Sequence, residues 1–219
     1  MLPACLPGGE VDMTGQCVLP ASSVTLGPIT DEDYKLLSQW AASTSWIYAS
    51  GSQQYLSPDD FKKFIGNARD QFLMVRARDG RAIGAVSWRT AKYPASFEIG
   101  AMIGDATRWQ SGFGIESLMA LIGKLFDTQH AHRVEFICGA FNKAAIQACC
   151  SGLIQIEGVL RDYYFVDGTY QDAVIGSILR DEYYSMTPAG ESVPNAEKEE
   201  ARNILREHLT KNPIELRKQ

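Results

Sequence analysis

The sequence predicts an α+β domain: a mixed, mostly antiparallel sheet with helices on its faces. Two observations predict it. Strand-like runs joined by a tight turn fill the first half, with Arg78-Asp79-Gly80 between Gln71–Val75 and Ala82–Trp88. The period then changes. Ile115, Leu118, Met119, Ile122, Leu125 and Phe126 recur at helical spacing from Gly112 to Thr128, between two strand-like runs. Hairpins followed by strand–helix–strand units imply a mixed sheet covered by helices.

The elements follow in order. Val24-Thr25-Leu26 is a short first strand. Thr30 caps a helix that opens with Asp31-Glu32-Asp33 and carries Tyr34, Leu36, Leu37 and Trp40. Ser57-Pro58-Asp59-Asp60 starts a second helix, with proline at its first position and Phe61, Phe64 and Ile65 along one side. Asp-Gly at 79–80 tolerates the positive φ of a hairpin turn. Ser96 to Ile103 is a strand with Phe97, Ile99, Ala101 and Ile103 on one face. After the long helix come a strand from His132 to Cys138 and a short helix from Asn142 to Cys150. Strands Leu153–Leu160 and Gln171–Leu179 close the order, with a turn at Asp167-Gly168.

Residues 1–23 read as an irregular arm, 24–186 as the domain and 187–219 as a polar tail. In the tail, Ala201, Ile204, Leu205, His208 and Leu209 form one stripe, which predicts an amphipathic helix for docking on the domain or on a second copy in a homodimer. The arm lacks Lys and Arg and has no apolar middle, so it does not read as a secretory signal. Twenty-one Lys and Arg against 26 Asp and Glu leave a net charge of -5, which argues against a nucleic-acid partner. No apolar run approaches the ~20 residues that span a bilayer, so no membrane association is expected. Five cysteines without zinc-ligand spacing, beside three histidines, suggest free thiols in a reducing cytoplasm and no metal.

Chemistry concentrates at one junction. Gly104-Asp105-Ala106-Thr107-Arg108-Trp109-Gln110-Ser111-Gly112-Phe113-Gly114-Ile115 joins a strand to the amphipathic helix. Glycine lets the backbone approach a ligand, and the first N–H groups of a helix favour an anion. The pattern suits a phosphate cradle, although a tight turn without ligand has the same letters. No Gly-Lys-Ser/Thr follows, and the third glycine of a dinucleotide fingerprint would fall at Ser117.

With its flanking strand and helix, Trp109-Gln110-Ser111-Gly112-Phe113-Gly114 resembles the acetyl-CoA pyrophosphate loop of the GNAT N-acetyltransferases. Trp109 in place of the usual Arg or Gln resembles the branch of ribosomal-protein N-terminal acetyltransferases (RimJ/RimL-like). Asn142-Lys143-Ala144-Ala145-Ile146, Glu157 to Tyr163 and Asp167 to Asp172 resemble the same branch. The likeness covers about residues 24–184. It implies a sheet splayed at its centre, with pantetheine between Ser96–Ile103 and His132–Cys138. Ile99, Ala101, Met102 and Ile103 would then line the cofactor, Trp109 to Gly114 would hold its pyrophosphate, and Asn142 would meet its arm; an N-cap is the other reading of Asn142.

Acyl transfer to an amine needs a base, a polarised thioester oxygen and sometimes an acid for the leaving thiolate. Glu98 is the candidate base; a solvated strand carboxylate is its other reading. The resemblance implies a Ser or Tyr acid after Asn142, but Ala145 and Cys149 occupy those positions. Cys149 is therefore a candidate acid, with core packing as the alternative. Tyr163, Tyr164, Tyr183 and Tyr184 are further candidates. Trp46, Tyr48, Tyr55 and Trp88 are candidate acceptor-pocket aromatics, with Trp46 and Tyr48 in a loop between the first helices. Arg89 and Lys92 could meet an anionic acceptor. The resulting expectation is an acetyl-CoA-dependent transferase acting on a small-molecule or protein N-terminal amine by direct attack in a ternary complex. A non-catalytic acyl-CoA-binding or interaction module is the alternative, and a nucleotide-binding protein a weaker one.

Overall fold

The computed structural model describes residues 10–11, 17–18, 23–104, 106–109, 111–186 and 195–213. Strand β1 (Glu10–Val11) pairs antiparallel with β2 (Cys17–Val18). Seven further strands form one sheet in the order β3-β4-β5-β6-β7-β9-β8. They are β3 (Val24–Gly27), β4 (Gln71–Ala77), β5 (Ala82–Thr90), β6 (Ser96–Ile103), β7 (Arg133–Gly139), β8 (Gln155–Val166) and β9 (Thr169–Leu179). Every neighbouring pair in that sheet is antiparallel except β6 and β7. The mixed, mostly antiparallel sheet is the architecture predicted.

That one parallel pair is short. Ser96, Phe97 and Glu98 pair with Arg133, Val134 and Glu135, and the ladder stops there. Beyond it, β6 continues along β5 to Ile103 and β7 continues along β9 to Gly139. The two inner edges diverge, and their main-chain groups lose their strand partners.

Helices α1 (Asp33–Ala41), α2 (Thr44–Ser50) and α3 (Pro58–Asn67) precede β4. Leu37, Ala41 and Phe61 pack with Met74, Ala85 and Met102 into one core cluster on that face. Helix α4 (Phe113–Thr128) packs on β3, β5 and β6. Its Leu121, Ile122, Leu125 and Phe126 are buried to 1% exposure or less. Each contributes roughly 1.5–3 kcal/mol by leaving water. Helix α5 (Lys143–Ala148) and a π-turn over Cys149–Leu153 lead into β8.

Local chemistry explains several ends. Ser57 caps α3 by accepting from the Asp60 N–H, with Pro58 at the first position. Thr30 does not cap α1. Its N–H (2.8 Å) and hydroxyl (2.9 Å) both donate to the Asp33 carboxylate, and Arg76 reaches the same carboxylate at 2.6 Å. Helix α2 occupies the segment expected as a loop. Ser43 accepts from the Ser45 N–H at its start, and Gly51, at φ 75°, ends it. Helix α6 (Arg180–Met186) also follows β9 where no helix was expected.

The chain divides into two compact units, Met1–Tyr183 and Tyr184–Gln219. In the second, α7 spans Asn195–Lys211, and Ile204 and Leu205 are 64% and 57% exposed.

Candidate active site

The start of α4 is built to leave donors open. Gly112 sits at φ 80°, and no side chain caps the helix. A Cβ added at Gly112 would meet nothing within 4 Å. The Glu116 N–H closes the first helical bond, to the Gly112 carbonyl at 3.1 Å. The preceding N–H groups, on Phe113, Gly114 and Ile115, lie ahead of that ladder and face an anion-favouring space. Glu116, an acid in that turn, is held away by the Ser23 hydroxyl and N–H. Ser111 donates its N–H to the Arg108 carbonyl at 3.0 Å. Gln110 lies outside the described residues.

Trp109 fixes this loop. Its indole N–H donates to the Ile103 carbonyl at 2.9 Å. Its ring lies flat on Tyr48 of α2, with centroids 4.4 Å apart. The Tyr48 hydroxyl accepts from the Lys143 N–H at 2.8 Å, and the Tyr48 carbonyl accepts from Asn142 Nδ2 at 3.0 Å. Asn142 Oδ1 caps α5 through the Ala145 N–H at 3.0 Å. Nearby, Ser45 donates to the Gly104 carbonyl at 2.7 Å. A Cβ at Gly104 would come within 2.0 Å of the Trp40 ring, so only glycine lets the chain turn there. Helix α2, the α4 loop and α5 are thus tied together at the open end of the β6–β7 split.

The residues fit a coenzyme A. An uncapped helix start suits its pyrophosphate, and the unpaired edge of β6 from Ile99 to Met102 suits pantetheine amides. The side chains of Ile99, Met102 and Ile103 are buried, so contact there falls to the main chain and to Ala101.

Glu98 stands where the split begins. It is opposite Arg89 on β5 and beside Glu135 on β7. Arg89 grips its carboxylate with two donors, at 2.5 and 3.2 Å, and reaches Asp70 at 3.6 Å. These contacts hold the Arg89 guanidinium's proton affinity up, the Glu98 hydrogen bond first. Glu135 has its own cation, Arg133, at 3.1 Å, and Arg133 also reaches Glu157 at 2.5 Å. The bonds from Arg133 and then Ser177 hold the Glu157 carboxyl down to about 2. Two arginines therefore separate four carboxylates along the sheet.

Two cavities lie along β5 and β6, and Glu98 lines the first. A groove of about 460 Å³ is lined by Arg69, Arg89, Thr90, Ala91, Lys92 and Glu98. A pocket of about 210 Å³ lies between α1–α3 and the sheet, lined by Trp46, Phe61, Phe64, Phe72 and the β6 segment Gly100–Met102. Its single charged residue is Asp70.

Of the predicted site residues, Trp46 reaches this pocket, whereas Tyr48 belongs to the Trp109 cluster. Both lie on α2 rather than on a loop. Trp88 is 7% exposed and opposite Ile99; strand alternation puts it on the sheet face away from Ser87, which lines the pocket. Tyr55 is 77% exposed. Cys149 is 3% exposed and hydrogen-bonds Cys138. That bond, then burial, pushes the Cys138 thiol up. Sequence reasoning missed Asp70 and Phe72 as pocket residues. Phe72 was legible only as an apolar strand position, and Asp70 carried no signal of its own.

Among the described residues no cluster of ligating side chains could hold a metal, and no helix is long and apolar enough to cross a membrane. Residues 23–150, more than half of the chain, match the family model described as an acetyltransferase (GNAT) domain. The structure is similar to spermidine N-acetyltransferase from Vibrio cholerae in complex with CoA and spermine, at TM-score 0.67 and 18% identity over 74% of this chain and 99% of that one. A GNAT-family acetyltransferase from Bacillus anthracis matches at TM-score 0.62 and 14% identity, over 74% and 98%. A chimera of the Vibrio cholerae enzyme SpeG with hSSAT matches at 0.63 and 21%, over 74% and 98%. No curated protein sequence matches the chain. The open helix start, the split sheet and the family match agree, and the chain belongs to the GNAT acetyltransferases, enzymes that use acetyl-CoA.

Proposed function

We propose that this enzyme acetylates a primary amine by direct attack in a ternary complex, and that the acceptor is a small molecule with one amine on an apolar body. The carrying observation is that the apolar pocket and the open strand edge share one segment of β6. The apolar pocket is walled by Gly100, Ala101 and Met102, the β6 segment whose other edge is open for the cofactor. An amine lodged against Phe61 and Phe72 is thereby held beside that edge.

The pocket's charge favours a single cation. Asp70 is its one carboxylate and is shared with Arg89. A polyamine would bring several ammonium groups into an apolar site with too few partners, and a buried unpaired charge is costly. The nature of the Trp109-Gln110-Ser111-Gly112 loop and the Asn142 cluster support a place in the ribosomal-protein N-terminal acetyltransferase branch, with a different acceptor.

Bound acetyl-CoA supplies the thioester electrophile. The N–H groups of Phe113 and Gly114 hold its pyrophosphate, and the β6 edge from Ile99 to Ile103 orients its arm. Glu98 takes the proton of the attacking amine, directly or through a water, while Arg89 fixes the carboxylate.

The test is mass spectrometry of 2-phenylethylamine, spermidine and a peptide with a free N-terminus, each incubated with the protein and acetyl-CoA. Faster acetylation of 2-phenylethylamine is expected. Preference for spermidine or for the peptide would overturn the acceptor assignment.

A further inference from the structure

A proton donor eases the departure of a thiolate, and α5 places no hydroxyl or phenol there. Its residues, Lys143 to Ala148, carry no hydroxyl, and the Cys149 thiol is buried against Cys138. A hydroxyl arrives instead from the β8–β9 hairpin.

The register of that hairpin slips between Leu160 and Tyr164. These residues face Ala173 and Gln171, so four steps along β8 oppose two along β9. Asp162, inside the bulge, sits at φ 52°, and its N–H is held by Asp172 Oδ1 at 2.9 Å. Bulges re-aim side chains. Here Tyr163 and Phe165 stay more than half exposed, while Tyr164 turns inward and is half-buried.

Tyr164 lands at the split. A Cβ at Gly51, where α2 ends, would lie 2.3 Å from the tyrosine's Cδ1. Its ring meets Phe141, just past β7, edge-on at 5.8 Å. Glu98, on β6 where the two strands part, acts on its hydroxyl electrostatically. Its hydroxyl has no hydrogen-bond partner among the described residues. Tyr183 lies elsewhere, stacked on Phe126 at 5.0 Å and against Gly123 of α4, and the Tyr48 hydroxyl is already engaged by the Lys143 N–H.

We propose that Tyr164 is the general acid of the reaction, supplied by the hairpin bulge in place of a residue on α5. This rests on the acetyl-transfer reading above. The amine nitrogen forms its bond to the acetyl carbon and the carbon–sulfur bond breaks. The amine's proton leaves toward Glu98, Tyr164 Oη gives its proton to sulfur, and solvent restores it.

Burial, helped by Tyr163, Cys138 and Glu98, pushes the Tyr164 hydroxyl up to about 12, so it stays protonated at neutral pH. The same desolvation raises the proton affinity of a departing thiolate, so donor and acceptor move together.

The test is Tyr164→Phe, which keeps the ring that packs on Gly51 and Phe141. Turnover should fall roughly 10²-fold with KM for acetyl-CoA unchanged. Calorimetry gives a second readout. Wild type should bind CoA more tightly than desulfo-CoA, and Tyr164→Phe should lose about fivefold on CoA alone. Wild-type turnover, or equal loss of affinity for both ligands, would overturn the inference. Wild type that releases thiol with spermidine and not with 2-phenylethylamine overturns the acceptor assignment only; Tyr164→Phe is then measured with spermidine.

Discussion

Tyr48 and Trp109 lie face to face, 61 residues apart in sequence, with ring planes 3° from parallel. The stack joins α2, which lines the apolar pocket, to the loop that opens α4. Trp109→Ala removes the stack and the bond to the Ile103 carbonyl. It should cost about 1–2 kcal/mol beyond lost area and lower CoA affinity. Trp109→Phe keeps stacking and loses only the bond, so its effect should be smaller. Calorimetric CoA titrations of both variants check the order.

Gly112 tests the phosphate cradle. Its φ of 80° is strained for any residue with a Cβ, which costs about 1–2 kcal/mol, yet no protein atom blocks that Cβ. Gly112→Val should therefore fold with reduced stability and lose CoA affinity by much more than the strain explains. Gly112→Asn, which tolerates the left-handed region better, separates the two effects. Unchanged CoA affinity in folded Gly112→Val would remove the cradle.

Glu98→Gln should cut turnover by about 10²–10⁴-fold, the size of a lost acid–base group. CoA affinity should persist, because Glu98 is not among the groups assigned to the cofactor. Steady-state kinetics beside calorimetry would show the split. A variant with full turnover at neutral pH makes Glu98 a structural partner of Arg89.

Acid stability should report Glu157. Its folded-state value, about 2, is depressed below the ordinary 4.5 by Arg133 and Ser177. The stabilisation is complete above pH 4.5 and is lost as pH falls toward 2. The carboxylate side chain is 36% exposed, so screening trims the effect to about 1 kcal/mol. Urea midpoints of Glu157→Gln and wild type should converge as pH drops through this window. Parallel curves would contradict the assignment.

Local signals carried much of this fold. Ser57-Pro58 announces α3, Asp79-Gly80 the β4–β5 hairpin, and the Ile115–Phe126 stripe α4. Helix α2 escaped because seven residues hold too few turns to display a period, and its caps, Ser43 and Gly51, also read as loop chemistry. The uncapped start of α4 was legible because Gly112 and Gly114 adjoin the helical stripe in sequence. The rest of the site is not local. Asp70, Arg89 and Glu98 meet only through the registers of three strands, and Tyr164 depends on a bulge whose extra residues look like ordinary strand. Trp88 shows the same limit from the other side: an aromatic at a strand position has equal appeal on either face until a neighbour settles which face is pocket.

Direct transfer from acetyl-CoA to the amine requires both to be bound at once. Initial velocities measured while varying acetyl-CoA at several fixed concentrations of 2-phenylethylamine test it most directly. Double-reciprocal lines should intersect, with no acetylated protein detectable by mass spectrometry. Parallel lines with an acetyl group on a cysteine would mean a covalent acetyl-enzyme and would contradict it.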